Sequence, residues 1–241
     1  MRRLPSRAAL PPATRNKLEK ESNAIADAED PKDEAERRYG NARKAKWFKP
    51  IVESLGALSG VGQRCMFCSG SEASQVEHFR PKAVFPLEAM KWENFLWACG
   101  ICNLNKSDRF PPETEPGEPI INPLEEDVWS FFFIDEFGNL TARWHADLND
   151  VDPRAAKTIE ILTLDRDALQ ETRQNRLDDL RARVQDSLEL TRHGHLKQAD
   201  LRSRCDEWRT QPFQPDVASY FLDGPRRLKS PFAEFCAKAK C

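Results

Sequence analysis

The feature that most constrains this chain is a pair of Cys-x2-Cys turns, Cys65-Met-Phe-Cys68 and Cys99-Gly-Ile-Cys102, separated by 30 residues. Each turn places two thiols on one side of a tight bend, and two such turns supply the tetrahedral sulfur set that Zn2+ prefers. The spacing therefore predicts a structural zinc site formed by Cys65, Cys68, Cys99 and Cys102. Two unrelated buried cysteine pairs and a redox dithiol are the alternatives, the latter weakened by the absence of a thioredoxin-like setting.

Composition limits the class of protein that surrounds this site. Of the 241 residues, 39% are hydrophobic and 32% are charged, which predicts a modest core beneath a highly charged surface. The formal net charge of −2 excludes a globally basic nucleic-acid-binding protein but allows a local basic patch. No apolar run is long enough to cross a bilayer, and the first residues lack the apolar core of a secretory signal. We therefore expect a cytoplasmic protein without membrane contact.

The sequence divides into four predicted regions, and the expected fold class is mainly α with a small α+β module. The regions are an N-terminal arm with helices, the zinc-stabilised module, an acidic loop followed by a hairpin, and a C-terminal helical region, at 1–59, 60–112, 113–150 and 151–241. In the first region, Asp30-Pro31 separates two helices, because proline interrupts a helix interior but suits its first turn. These helices present either a solvated charged face or a basic arm for nucleic acid or a partner protein.

Hydrophobic spacing predicts the elements of the second half. Residues 128–145 are rich in strand formers and are predicted to form a hairpin that turns at Asp135–Asn139, and Asp152-Pro153 begins a helix. A longer helix follows from about Asp165 and ends near Gly194. Its apolar stripe consists of Leu169, Leu177, Leu180, Val184 and Leu188. Shorter helices are expected at 196–209, 215–223 and 231–240.

Polar residues between the two cysteine turns, and just after the second, are of the types that hydrolytic enzymes use. Glu77 directly precedes His78, Asn94 follows later in the segment, and Asn103 comes directly after Cys102. Histidine can accept a proton from water near neutral pH, and carboxylate and amide oxygens suit a hard cation such as Mg2+. Nearby cations would stabilise charge that develops on a phosphate. Helix capping by the asparagines and a solvated face for the cations are the alternative interpretations.

The order Cys-x2-Cys, Glu-His, Pro, Asn, Cys-x2-Cys-Asn-x2-Lys resembles the HNH nuclease motif, whose core is the ββα-metal fold, over about residues 60–110. The resemblance implies that His78 is the general base and that Asn94 orients it. It further implies that Glu77 and Asn103 hold a catalytic Mg2+ or Mn2+. Asn103 stands where the family usually has histidine, so this chain is an H-N-N variant.

Flanking segments are similar to the HNH components of Septu and retron-linked anti-phage systems. They are Met-Arg-Arg-Leu at the start, Val76–Lys82, Trp92–Leu96, Ile121–Leu124 and Lys157-Thr158-Ile159 with Leu162. This similarity implies cleavage of nucleic acid, DNA rather than RNA, beside an ABC-type ATPase partner. Arg80, Lys82 and Lys106 would contact phosphate, which is recognition without sequence preference. A catalytically inactive zinc adaptor and a DNA-binding regulator remain the alternative functions.

Overall fold

A computed structural model describes residues 6–60, 62–70, 72–111, 119–210 and 231–240. The chain forms two compact units. The N-terminal unit comprises the described residues up to Glu126 together with Ile161–Thr163, and the C-terminal unit comprises the remaining described residues. The first helices pack against the segment that carries the cysteine turns, so both belong to the N-terminal unit.

Four helices and one hairpin build the N-terminal unit. The elements are α1 (Pro12–Ala26), α2 (Pro31–Ala42), α3 (Lys49–Leu58), β1 (Gln75–His78), β2 (Phe95–Ala98) and α4 (Gly100–Lys106). The predicted break between the first two helices is confirmed: the Asp30 carboxylate caps α2 by accepting hydrogen bonds from the Lys32 and Asp33 amides. Pro31 then occupies the first helical position, where no amide hydrogen is needed.

The hairpin determines which side chains face the helices. β1 and β2 are antiparallel, with Val76 opposite Trp97 and His78 opposite Phe95. Alternation along a strand places these four side chains on one face and Glu77 on the other. The His78 face packs against Tyr39 of α2, whereas Glu77 contacts α4. Two antiparallel strands, the second followed at once by a helix, are thus present.

The C-terminal unit contains the second half of the predicted elements. They are β3 (Phe132–Ile134), β4 (Leu140–Ala142), β5 (Trp144–His145), β6 (Asp150–Val151), α5 (Pro153–Leu162), α6 (Asp167–Arg192), α7 (Gln198–Thr210) and α8 (Phe232–Ala239). The last two residues of α5 belong to the N-terminal unit. Asp152 caps α5 as predicted, through the Ala155 amide. The helix expected at 215–223 lies outside the described residues.

Packing in this unit follows the predicted apolar stripe. All five stripe residues of α6 are buried. The hairpin turn at Gly138 has a φ of +80°, and a Cβ there would lie 2.5 Å from the Gln170 carbonyl oxygen. Only glycine therefore allows the turn to approach α6 this closely. Trp208 of α7 stacks on Phe235 of α8 at a centroid distance of 5.1 Å.

Candidate metal centre and active site

The four cysteines of the two turns converge as the sequence predicted. Their sulfur atoms all lie within 4.8 Å of one another, and all four residues are buried. The Cys68 and Cys99 Sγ atoms are 3.9 Å apart, and tetrahedral coordination with Zn–S bonds of about 2.3 Å requires about 3.8 Å. Burial raises the pKa of the Cys65 thiol, so four thiolates here need a cation to compensate their charge. The cluster therefore fits a structural zinc ion.

The cysteine turns are attached directly to the hairpin. The Met66 amide donates to the Trp97 carbonyl at 2.9 Å, which fixes the first turn against β2. Cys99 follows β2 and acts as the N-cap of α4, since its Sγ accepts from the Cys102 amide at 3.5 Å. A metal at this position would hold β2 and the start of α4 together. The cluster thereby orients the helix that carries Asn103 and Lys106.

His78 ends β1 in a buried aromatic environment. Its ring centroid lies 4.4 Å from that of Tyr39 and 5.3 Å from that of Phe95. The Nε2 atom lies 2.9 Å from the Ala89 carbonyl oxygen. Because a carbonyl can only accept, Nε2 carries the proton in the neutral ring and Nδ1 is the basic nitrogen. Burial lowers the pKa of His78 to about 4, so the ring is neutral near pH 7.

Asn94 holds the loop that supplies this carbonyl. Its Oδ1 accepts from the Arg80 amide at 2.7 Å, and its Nδ2 donates to the Arg80 and Glu88 carbonyls at 2.9 and 3.0 Å. Ala89, the residue after Glu88, then faces the His78 ring. The Asn94 side chain therefore bonds to the backbone of this loop and not to the imidazole. The contact on the imidazole comes from a backbone carbonyl that no sequence pattern could have indicated.

Glu77 and Lys106 form a buried ion pair on the opposite face of the hairpin. The Lys106 Nζ lies 2.8 Å from Glu77 Oε1 and 2.6 Å from the His78 carbonyl oxygen. Burial raises the pKa of Glu77 and lowers that of Lys106, while their mutual attraction opposes both shifts. Lys106 was predicted to contact phosphate, but it has no exposed surface and its ammonium faces a carboxylate. The structure thus corrects that placement: Lys106 fastens α4 to β1.

Asn103 lies one turn earlier on α4. Its Nδ2 donates to the side-chain oxygen of Gln75, which leaves its Oδ1 as a potential cation ligand. Asn103 lines two cavities, of about 680 and 320 Å3, together with Glu77, His78 and Lys82. The candidate ligands and the candidate base therefore share one space. Within the described ranges, the cysteines are the one cluster of three or more His, Cys, Asp or Glu side chains.

Of the two remaining predicted phosphate contacts, Lys82 lines both cavities and Arg80 lines neither. Lys82 is half-buried, with its Nζ 2.5 Å from the Glu36 carboxylate of α2. The Arg80 guanidinium lies 5.2 Å from the centre of the Phe85 ring. Tyr39 was missed by sequence reasoning, although its hydroxyl donates to the Val76 carbonyl at 2.9 Å beside His78. A single tyrosine in a charged helix gives no sequence indication of such a contact.

Comparison with known proteins relates half of this chain to a Septu component. Over 123 residues, 49% of the chain, it is 28% identical to the Septu protein PtuB of Bacillus thuringiensis. The match covers 42% of PtuB, so the chain aligns with less than half the length of that relative. No protein-family model matches the chain. Across the described ranges, no helix combines the length and apolar character needed to cross a membrane. The chain is thus similar to a Septu protein over about half its length.

Proposed function

We propose that this chain is a metal-dependent HNH-type endonuclease that hydrolyses phosphodiester bonds, DNA in preference to RNA. We further propose that it is the nuclease of an anti-phage defence system and works with an ABC-type ATPase. The observation that carries the proposal is His78, whose Nε2 is bound to the Ala89 carbonyl while its ring lines a cavity with Glu77 and Asn103. The similarity to PtuB supports the defence assignment.

His78 has the properties of a general base for water. The Ala89 carbonyl fixes the tautomer, and the lowered pKa keeps Nδ1 free of a proton at neutral pH. Nδ1 takes a proton from water as the water oxygen attacks phosphorus, and the bond from phosphorus to the 3′ oxygen breaks. Asn94 maintains this geometry by holding the loop that ends at Ala89. Positioned proton transfer of this kind contributes about 10²- to 10⁴-fold to rate.

The oxygen donors at the site fit a divalent cation that is completed by substrate. Glu77 and Asn103 would hold Mg2+ or Mn2+, since Mg2+ is commonly bound by one or two carboxylates, water and substrate phosphate. Such a cation, when bound, stabilises negative charge on the leaving oxygen. Lys106 already places one positive charge on Glu77. It therefore competes with the cation for the carboxylate and orients it in the absence of the cation.

One observation favours a second function, the zinc-stabilised adaptor without catalysis. Both proposed cation ligands are engaged by protein groups, Glu77 by Lys106 and Asn103 by Gln75. If these contacts persist when nucleic acid binds, the zinc cluster and hairpin would serve only as a rigid scaffold. The two functions differ in whether His78 is needed for phosphodiester cleavage.

Plasmid cleavage by the purified chain with Mg2+ or Mn2+ tests the proposal. We expect nicking by wild type and none by His78→Ala, with about one zinc ion per chain in both proteins. His193→Ala is the matched control, because His193 is exposed and far along the chain from the site. Equal cleavage by wild type and His78→Ala would contradict the proposal. Wild type that is inactive alone is assayed again with its ATPase partner, and inactivity there supports the adaptor.

A further inference from the structure

The larger of the two cavities extends well beyond the segment that resembles the HNH motif. It has a volume of about 680 Å3, within the roughly 300–1,000 Å3 typical of ligand pockets. One wall is β1 and β2, with His78 and Trp97, and the other is α2, with Tyr39, Gly40 and Arg43. We call this space the α2 cleft. None of the functional roles assigned above requires α2 to border it.

The α2 cleft continues past the proposed base. The smaller cavity shares Glu77, His78, Lys82 and Asn103 with it, so these four residues lie where the two spaces meet. A polymer that places one phosphodiester at His78 has neighbouring nucleotides on both sides of that bond. The smaller cavity and the α2 cleft are therefore the spaces in which those neighbours would lie.

Charge at the rim of the α2 cleft suits a phosphate backbone. Arg43 and Lys44, at the end of α2, are exposed and line the cleft. No carboxylate of the described part of the chain lies within ion-pair distance of either side chain. Lys82, on the same rim, is paired with Glu36, and both Glu36 and Glu77 also line the cleft. Among the described residues of the cleft, Arg43 and Lys44 are therefore the cations assigned to phosphate, a contact that does not read sequence.

The wall of the α2 cleft at Gly40 is open. A Cβ added to Gly40 would meet no atom within 4 Å, so there is room beside α2 for an occupant. The facing wall carries the buried Trp97, whose indole Nε1 is enclosed by protein and offers no donor to that occupant.

These features suit one strand of the proposed substrate. We propose, building on the nuclease function above, that the α2 cleft binds the nucleic-acid strand next to the scissile bond. Arg43 and Lys44 contact the phosphates of that strand.

Binding of short fluorescent single strands of DNA and RNA, and of the matching duplex, tests this proposal at low salt. The full-length chain carries His78→Ala, so that hydrolysis cannot consume the probe. Gly40→Trp fills the cleft and is expected to weaken single-strand binding by on the order of tenfold. Lys32→Trp, on an exposed position of the same helix outside the cleft, is the matched control and should bind like its parent.

A charge variant tests the same site without filling it. Arg43→Gln with Lys44→Gln should reduce the slope of log affinity against log salt by about 1.4, or ~0.7 for each lost single-strand phosphate contact. Lys20→Gln with Lys32→Gln removes two exposed charges elsewhere on α1 and α2 and is its control. Zinc content and thermal unfolding establish that each variant is folded. If Gly40→Trp does not fold, the charge variant decides.

Two outcomes would overturn the proposal: binding of the strands and of the duplex that neither variant alters, and no binding of any probe. The DNA and RNA probes distinguish the two sources of the strand. Loss of binding in the cleft variants establishes the site even if wild type never nicks a plasmid. The binding assay therefore tests the α2 cleft independently of the cleavage assay that tests the nuclease function.

Discussion

The cysteine cluster and the His78 site lie at opposite ends of one hairpin, whose two strands are four residues long. Different interactions stabilise the two ends. At the Ala98 end, four identical side chains converge on one point and fit a single metal ion. At the His78 end, each polar side chain has a different partner: a carbonyl for His78 and an ammonium for Glu77. The cysteine end depends on metal–sulfur bonds to a single ion. The His78 end depends on separate hydrogen bonds and an ion pair, which single substitutions can remove one at a time.

Removal of zinc should have the largest effect. Chelation, or Cys68→Ser with Cys102→Ser, is expected to unfold the N-terminal unit, because structural zinc contributes about 10–16 kcal/mol in small zinc modules. Circular dichroism with metal analysis measures this loss. Cys236→Ser is the control, since Cys236 is buried but lies outside the cluster. An N-terminal unit that stays folded without metal would show that the two ends of the hairpin do not differ in this way.

Loss of the buried ammonium should rank second. Lys106→Met leaves the Glu77 carboxylate buried without its partner, which costs about 3–5 kcal/mol in comparable pairs. Adding Glu77→Gln removes the unpaired charge and should restore much of the stability. Urea unfolding of the two single variants and the double variant gives the coupling between the residues.

The exposed pair of Lys91 and Glu88 provides the control for that experiment. Lys91→Met should change the free energy of unfolding by no more than about 1 kcal/mol, because solvent screens exposed pairs. A similar cost for Lys106→Met and Lys91→Met would contradict the view that Lys106 fastens α4 to β1. Zinc content should be unchanged in both variants.

Asn94→Ala should cost less stability but disturb the His78 site selectively. It removes three hydrogen bonds to the backbone of the Arg80–Glu88 loop, worth about 1 kcal/mol each. We expect an unfolding free energy lower by about 2–3 kcal/mol, full zinc content, and cleavage slower by on the order of a hundredfold. Asn94→Asp keeps the acceptor for the Arg80 amide. Its unfolding free energy and cleavage rate should therefore lie between those of wild type and Asn94→Ala. Cleavage at the wild-type rate would exclude the indirect orienting role.

Gly40→Ala should have the smallest effect and the opposite sign. Gly40 lies inside α2 with open space at its Cβ position, so alanine should stabilise the helix by up to about 1 kcal/mol. Thermal unfolding measures the gain, and zinc content should not change. A loss of stability would mean that α2 needs glycine for close packing.

Much of the fold follows from spacing that the sequence displays directly. The helix break at Asp30-Pro31, the cap at Asp152 and the buried stripe of α6 are all local patterns, and the structure confirms them. The convergence of the cysteines could be predicted as well, because one metal ion explains all four residues. Four cysteines can bind one zinc ion whatever fold surrounds them, so their convergence could be predicted without knowledge of the other elements.

The sequence by itself determined which residue types are available: a cysteine quartet, a Glu-His pair, two asparagines and a set of cations. Only the tertiary structure decided which of these meet. Docking of α4 on β1 turned Lys106 from a predicted phosphate contact into the partner of Glu77, 29 residues earlier. Packing of α2 on the hairpin brought Tyr39 to His78, and the loop held by Asn94 brought the Ala89 carbonyl. Such contacts depend on how whole elements pack, because spacing along the chain specifies a helix or a turn but not its neighbour.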